Sequence, residues 1–280
     1  EEGGRVERLT CVYHNWTYDL QGNLASVAFE RGIQGKGGMP DDFDHACHGL
    51  PRLRVETYCG LIFGTFSETV GSLSDYLGPE MRANMDRVLS RDMEILGMFR
   101  HGLDGNWKLY MENVRDTYHA TLLHSFFPTF GLVRLSMKGG IVLSDGGLHH
   151  MTYSMGATDQ AEAQYNAKDL RAVKDGYTLN APELIEGWPE YECGTTLAIQ
   201  SIFPNFSVQQ LSNVIPVRLN VPKGPDKSEL IWWILAPVED TPEERAMRLR
   251  QSNLIGPGGF IAMEDGAVVG WVRRGLAGAE

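Results

Sequence analysis

Hydrophobic and polar positions along this chain follow two periods, and together they predict an antiparallel sheet carrying a few helices. TYDLQGNLASVAF alternates around Gln21-Gly22-Asn23 as a hairpin does, and RVETYCGLIFGTF reads as two buried strands broken at Gly60, with Cys59 a small buried hydrophobe. MEILGMFRHGL reads as a strand, and residues 141–156 as two strands around Asp145-Gly146-Gly147. TTLAIQSIFPNFSVQQLSNVIPVRLNVP and SELIWWILAPV continue as successive antiparallel strands.

Helical spacing appears in three places. In SDYLGPEMRANMDRVL the residues Leu77, Met81, Met85 and Leu89 recur at four-residue steps, which makes the methionines core and tolerates Pro79 only in a first turn. Residues 106–124, NWKLYMENVRDTYHATLLH, place Trp107, Tyr110, Met111, Val114, Tyr118 and Leu122 on one buried face of a helix. Thr241-Pro242-Glu243-Glu244 is a helix start with N-cap, first-turn proline and capping-box glutamate, running to about Asn253. GPGGF breaks that helix and FIAMEDGAVVGWVRRG resumes it. Residues 159–188 are polar and predict a helical or mobile excursion near a cavity mouth. The expected class is α+β, with a first β domain over 1–66 and a helix-on-sheet domain over 67–280.

Composition narrows the function classes. At 280 residues and 42% hydrophobic content the chain can bury a large core. A net charge of −11 and a pI near 5.2 argue against nucleic acid or an anionic membrane as partner. No apolar run reaches the roughly 18 residues needed to span a bilayer. Cys11, Cys47, Cys59 and Cys193 are scattered, which suits a reducing cytoplasm better than a disulfide framework.

The chemistry-bearing residues are few. Asp116 precedes His119 by three positions, which would set carboxylate and imidazole side by side on a helix. His124 follows five further on, about 140° around the axis. A shared metal therefore requires a helix end, a bulge or directed rotamers; taken alone, the spacing also fits a core helix with two satisfied histidines. Cys11 and His14 form C-x-x-H, half a zinc site or an accident. His45, Cys47 and His48 share a loop without the pairing of a known site, His101 has no visible partner, and His149 and His150 must face opposite ways on a strand. Arg218 shares one strand face with Val214 and Pro216, where a charge is costly unless paired. Its planar fork suits a carboxylate, with Thr152 as an added hydroxyl donor, while an outward or acid-paired arginine is the plainer alternative.

NWK, EN and DxYHxxxLH together resemble the iron helix of Rieske non-haem iron ring-hydroxylating oxygenases, large (alpha) subunit. CVYHNW, GGMP, CGLIFGTFSE, DYLGPE, KGG followed by HH, and GPGGFIAMEDGAV extend the likeness over nearly the whole chain. The resemblance implies a partial Rieske-type β domain followed by a helix-grip catalytic domain. It makes His119, His124 and Asp265 ligands of a mononuclear Fe(II), with Glu264 the alternative to Asp265 if the register shifts. Asp116 becomes the buried carboxylate bridging to the Rieske centre of a neighbouring subunit. Cys11 and His14 become ligands of a 2Fe-2S Rieske cluster, which takes two cysteines and two histidines. No Cys or His precedes Cys11, so the expectation is a chain truncated at its amino end, and at its carboxy end too. The family often has Gly where Asn15 stands.

Within the family the likeness is to the branch that handles terephthalate and related aromatic carboxylates. It implies O2 as co-substrate, a cis-dihydrodiol product, electrons from an NAD(P)H-dependent reductase, and a homotrimer or alpha3beta3 assembly with a small beta subunit. Aromatic-acid monooxygenation, as in salicylate 5-hydroxylase-like enzymes or O-demethylases, uses the same ligands. A helix-grip domain that only binds an aromatic ligand is the non-enzymatic alternative.

Overall fold

The computed structural model describes residues 4–156 and 177–278. Most of the polar excursion over 159–188 falls outside the described residues. The chain forms two compact units, Glu1–Val70 and Gly71–Glu280, so the boundary lies past Phe66.

The first unit is built from short antiparallel strands. β1 (Arg8–Thr10), β2 (Thr17–Asp19) and β3 (Leu24–Ser26) make one sheet, and β4 (Arg54–Tyr58) pairs with β5 (Leu61–Thr65). The β4–β5 connection is a two-residue turn, Cys59 at φ +49° and Gly60 at φ +75°, the left-handed pair that suits hairpin twist. Cys59 is thus a half-buried turn residue and not core, and β4 and β5 are largely exposed where buried strands were expected.

The second unit is a seven-stranded antiparallel sheet with helices packed on it. Its strands are β6 (Met93–Leu103), β7 (Gly139–Leu143), β8 (His150–Met155), β9 (Thr195–Ile202), β10 (Phe206–Leu211), β11 (Ile215–Pro222) and β12 (Ser228–Pro237). They lie in the order β6-β12-β11-β10-β9-β8-β7, with every neighbouring pair antiparallel. α1 (Leu73–Leu89) is capped by Ser72, kinks at Gly78, restarts at Pro79 and buries Leu77, Met81 and Met85 completely. The kink reconciles an internal proline with a helix of this length, because Pro79 opens a new first turn.

α2 (Trp107–Arg115) sits over β8, β9 and β11 and buries Tyr110, Met111 and Val114. Its entry is tight: a Cβ on Gly105 would stand 2.5 Å from Val269 Cγ1, so only glycine lets this end approach the last helix. The predicted single helix over 106–124 does not continue past Arg115. Asp116 turns extended (φ −80°, ψ 107°) and its Oδ1 accepts from Tyr118 N at 2.8 Å, a local side-chain bond that competes with the helical ladder. A one-turn helix, α3 (Ala120–Leu123), follows, and Tyr118 and Leu122 are exposed, not buried. α4 (Phe126–Thr129) then inserts Phe127 into the core.

α5 (Pro242–Ile255) starts at Thr241 with both hydrogen bonds of a capping box, and α6 (Phe260–Ala277) ends the described chain. One core cluster joins Tyr110, Met111 and Val114 to Leu230, Trp232 and Val269. A second joins Phe127, Leu197, Val214, Ile234, Ile255 and Ile261. Each such side chain contributes about 1.5–3 kcal/mol on burial, so the helices that carry the site residues are fixed to the sheet by apolar packing.

A buried ionic knot pins α5. Arg248, fully buried, donates to Glu190, to Asp240 and to the backbone oxygen of Asn213, and lies over the Trp188 ring.

Candidate metal centre and its cavity

The break after α2 is what lets the two histidines meet. With the chain turned at Asp116, His119 begins α3 and His124 ends it, and their rings stand 5.1 Å apart at 72°. Asp265, in the second turn of α6, projects between them. Its Oδ1 is 3.2 Å from His124 Nε2 and 3.5 Å from His119 Nε2. One donor atom from each of the three residues lies within 4.8 Å of the others, and no other such cluster occurs among the described residues. Two imidazoles and one carboxylate converging on one side form the donor set of a facial triad, which suits iron(II) and leaves positions open.

Electrostatics at these donors are strongly coupled. Burial raises the Asp265 carboxyl, but hydrogen bonds from His119, His124 and Asn113 outweigh it and hold the group well below the usual carboxylate range. Burial lowers His124, yet its contacts with Asp265 and Glu264 reverse the sign and raise it. Asn113 Nδ2 donates to Asp265 Oδ1 at 3.1 Å from the last turn of α2, a neutral neighbour that sequence spacing did not single out.

Glu264 does not take the position of Asp265. Its Oε2 lies 2.8 Å from His124 Nδ1, on the far side of the ring from the converging donors. Asp116 Oδ2 lies 3.3 Å from His119 Nδ1, off the line of a hydrogen bond. Its side chain is 49% exposed in this single chain, so the expected burial is absent here.

A cavity of about 460 Å³ opens onto the three donors, with Leu197, Ile199 and Trp232 among its apolar walls. Arg218 and Thr152 both line it. The register of the sheet places Arg218 directly between Ser207 on β10 and Trp232 on β12. Accordingly Nε donates to Ser207 Oγ at 3.0 Å and the guanidinium lies 4.9 Å from the Trp232 ring centroid. Nη1 donates to the Tyr110 hydroxyl at 2.9 Å, whose pKa burial pushes up to about 12, so the hydroxyl stays neutral. Arg218 is 4% exposed, and among the described residues its Nη2 has no hydrogen-bond partner and no carboxylate pairs with it. Arg218 therefore neither points outward nor pairs with an acid among the described residues. Thr152 stands on β8 of the same sheet.

The remaining histidines do other work. His149 Nε2 donates to Tyr76 O at 2.7 Å and Nδ1 accepts from Phe203 N at 3.1 Å, which saturates a fully buried neutral ring. His101 packs against Gly266 behind Asp265 and is not among the converging donors. His45 pairs with Glu30.

In the first unit, Cys11 and His14 lie on an exposed turn closed by Cys11 N donating to Trp16 O and Asn15 N donating to Cys11 O. Asn15 has φ +56°, which is the physical reason a glycine is equally at home there. One thiol and one imidazole are half the donor set of a Rieske cluster, so these residues by themselves do not hold one.

The chain belongs to the ring-hydroxylating oxygenase alpha-subunit family: residues 83–279 match the ring hydroxylating alpha subunit (catalytic domain). Among curated relatives it is 50% identical over its whole length to the terephthalate 1,2-dioxygenase terminal oxygenase component subunit alpha 2 of Comamonas sp., spanning 68% of that protein. It is 44% identical to the anthranilate 1,2-dioxygenase large subunit of Burkholderia cepacia over 97% of this chain and 64% of that one. It is 36% identical to the salicylate 5-hydroxylase large oxygenase component of Ralstonia sp., over 99% and 66%. The chain thus spans about two thirds of the length of these relatives. The fold is also that of naphthalene 1,2-dioxygenase from Rhodococcus sp. bound to indole (TM-score 0.71, 24% identity, 98% of this chain and 65% of that one). A quaternary ammonium Rieske monooxygenase shares it as well (TM-score 0.68, 18% identity, 99% and 64%). These two neighbours are a dioxygenase and a monooxygenase, so the fold alone does not select the outcome.

Proposed function

We propose that this chain carries the catalytic centre of an oxygenase component that dioxygenates an aromatic carboxylate of the terephthalate kind to a cis-dihydrodiol. The observation that carries the reading is the coincidence, in one cavity, of the His119, His124 and Asp265 donors with a buried arginine that has no acid partner among the described residues. In this reading His119 Nε2, His124 Nε2 and one Asp265 oxygen hold a mononuclear iron(II). Dioxygen activation is what that metal supplies when bound, at the positions three protein ligands leave open.

The chain's own residues bind and orient. Arg218 receives the substrate carboxylate at Nη2, because a buried cation without a counter-ion is costly and a carboxylate relieves that cost. Ser207, Tyr110 and Trp232 hold the guanidinium in place beforehand, so little freedom is lost on binding. Thr152 offers a hydroxyl from the cavity wall, and Leu197, Ile199 and Trp232 present apolar surface to the ring and keep water away. Asp116 lies at the outer edge of His119, 3.3 Å from Nδ1, where a carboxylate offers a polar route between His119 and solvent or a neighbouring subunit.

Cys11 and His14 are assigned to a Rieske cluster by family likeness, and no step is derived through it. The assembly proposed is a trimer, with or without a small beta subunit, served by an NAD(P)H-dependent reductase. Four free cysteines and the need for reduced nicotinamide favour the cytoplasm. Monooxygenation is the second reading, favoured by the salicylate 5-hydroxylase likeness. Turnover of a panel of benzoates and phthalates by the full-length protein with reductase under ¹⁸O-labelled dioxygen tests both. Two labelled oxygens in a dihydrodiol support the proposal; one labelled oxygen in a phenol selects the alternative; no product from any acid refutes the carboxylate reading.

A further inference from the structure

We infer that Glu264 is a positioning residue that fixes the tautomer and ring plane of His124, so that the adjacent acids Glu264 and Asp265 grip the two nitrogens of one imidazole. This rests on the reading of His119, His124 and Asp265 as a metal site.

Successive residues on α6 diverge by about 100°, so two adjacent acids cannot present both carboxylates to one metal without distortion. Here the divergence is used. Asp265 reaches His124 Nε2 at 3.2 Å on the side where the donors converge, and Glu264 reaches Nδ1 at 2.8 Å on the opposite side. The ring between them is 2% exposed and is further held edge-on by Phe127 at 5.5 Å.

An imidazole that binds metal through Nε2 must keep its proton on Nδ1, and that proton needs an acceptor. In the buried surroundings of His124, Glu264 is the side chain that supplies it. Without it the neutral ring is free to keep its proton on Nε2, where Asp265 accepts it and the metal position is blocked. His119 has an analogous neighbour in Asp116, but that contact is 3.3 Å and misaligned, so the constraint is tighter at His124. The acceptor is also accessible, since the Glu264 side chain is 37% exposed, and its removal leaves a solvent-facing gap without emptying the core.

The test compares the full chain with Glu264→Gln and Glu264→Leu, measuring zinc(II) and iron(II) dissociation constants, thermal melting, and the His124 Nδ1–H signal by ¹⁵N NMR of the zinc-loaded protein. Gln keeps an acceptor oxygen at that position and Leu has none. Expected are a loss of metal affinity of about 10–100-fold for Glu264→Leu, a smaller loss for Glu264→Gln, and a His124 Nδ1–H resonance sharp in the parent and absent in Glu264→Leu. Affinity within twofold of the parent in Glu264→Leu, or an unchanged His124 Nδ1–H signal there, overturns the inference while leaving the metal site intact. Equal losses in both variants accompanied by a lower melting temperature also overturn it, because a structural role gives that pattern. Failure of the parent to bind either metal overturns the metal-site reading itself.

Discussion

His124 Nε2 lies 3.2 Å from Asp265 Oδ1, although one residue closes the short helix after α2 and the other sits in the second turn of α6. The contact joins the two most distant pieces of the proposed iron site, and both pieces are fixed by separate apolar packing on the same sheet. Geometry of that kind is set before any metal arrives, which is why replacing single donors should remove the metal and spare the fold.

His119→Ala, His124→Ala and Asp265→Ala should each lower iron affinity by more than the about 10–100-fold typical of outer-shell partners. Asp116→Asn should retain most of the iron yet lose oxygenation, since its contact is with His119 Nδ1 and not with the converging donors. Metal analysis beside product yield separates the two patterns. Iron lost in proportion to activity in Asp116→Asn would make that residue structural.

Iron uptake should depend on pH through His124. Its folded pKa is raised above the ordinary 6.5, with burial opposing and the two carboxylates prevailing. In the metal-free chain the proton therefore stabilises the fold fully below the unfolded value, and that stabilisation disappears as pH rises through the folded value. Metal must displace the same proton, so affinity should climb with pH across the window above 6.5 and flatten beyond it. Calorimetry in buffers of different ionisation enthalpy reads the proton released, and no release in that window would contradict this assignment.

Arg218→Ala should raise KM for the aromatic acid by the equivalent of about 2–5 kcal/mol, while iron content stays as in the parent. Arg218→Lys should recover part of the loss, because a point charge lacks the fork that Ser207 and Tyr110 hold in place. Steady-state kinetics on a benzoate and on its uncharged amide provide the check: the two variants should affect the acid far more than the amide.

Arg248→Met should destabilise the second unit by about 3–5 kcal/mol in urea unfolding, since it leaves Asp240 buried without its cation and Glu190 with Arg91 alone. Burial raises Glu190, but Arg248, Asn213 and Arg91 hold its pKa below the ordinary 4.5. That stability is present above 4.5 and is lost as pH falls through the depressed value. The parent should therefore unfold in acid along a limb that is shallower in Arg248→Met.

Much of the architecture was legible in the chain because strand alternation and helix period are local. The hairpins around Gly22 and Gly60, the strands of the sheet, the methionine face of α1 and the capping box of Thr241 all fall where the pattern places them. The errors share a cause. Period alone continued the helix through Tyr118 and Leu122, but the Asp116 carboxylate bonds its own backbone two residues on and ends it. Cys59 read as core from its apolar neighbours, but a two-residue turn requires its positive φ.

By itself, then, the sequence determined which residues are candidates for the site, which segments bury apolar faces, and the family to which the chain belongs. Tertiary structure alone decided the pairings: that Arg218 faces the cavity with no acid among the described residues beside it, that Glu264 takes Nδ1 while Asp265 takes the Nε2 side, and that Asn113 reaches Asp265. The physical reason is that donor convergence depends on where separate elements dock. Docking is fixed by long-range packing of α2 and α6 on the sheet, and neither periodicity nor spacing along the chain encodes a distance of a few ångströms between residues so far apart in it.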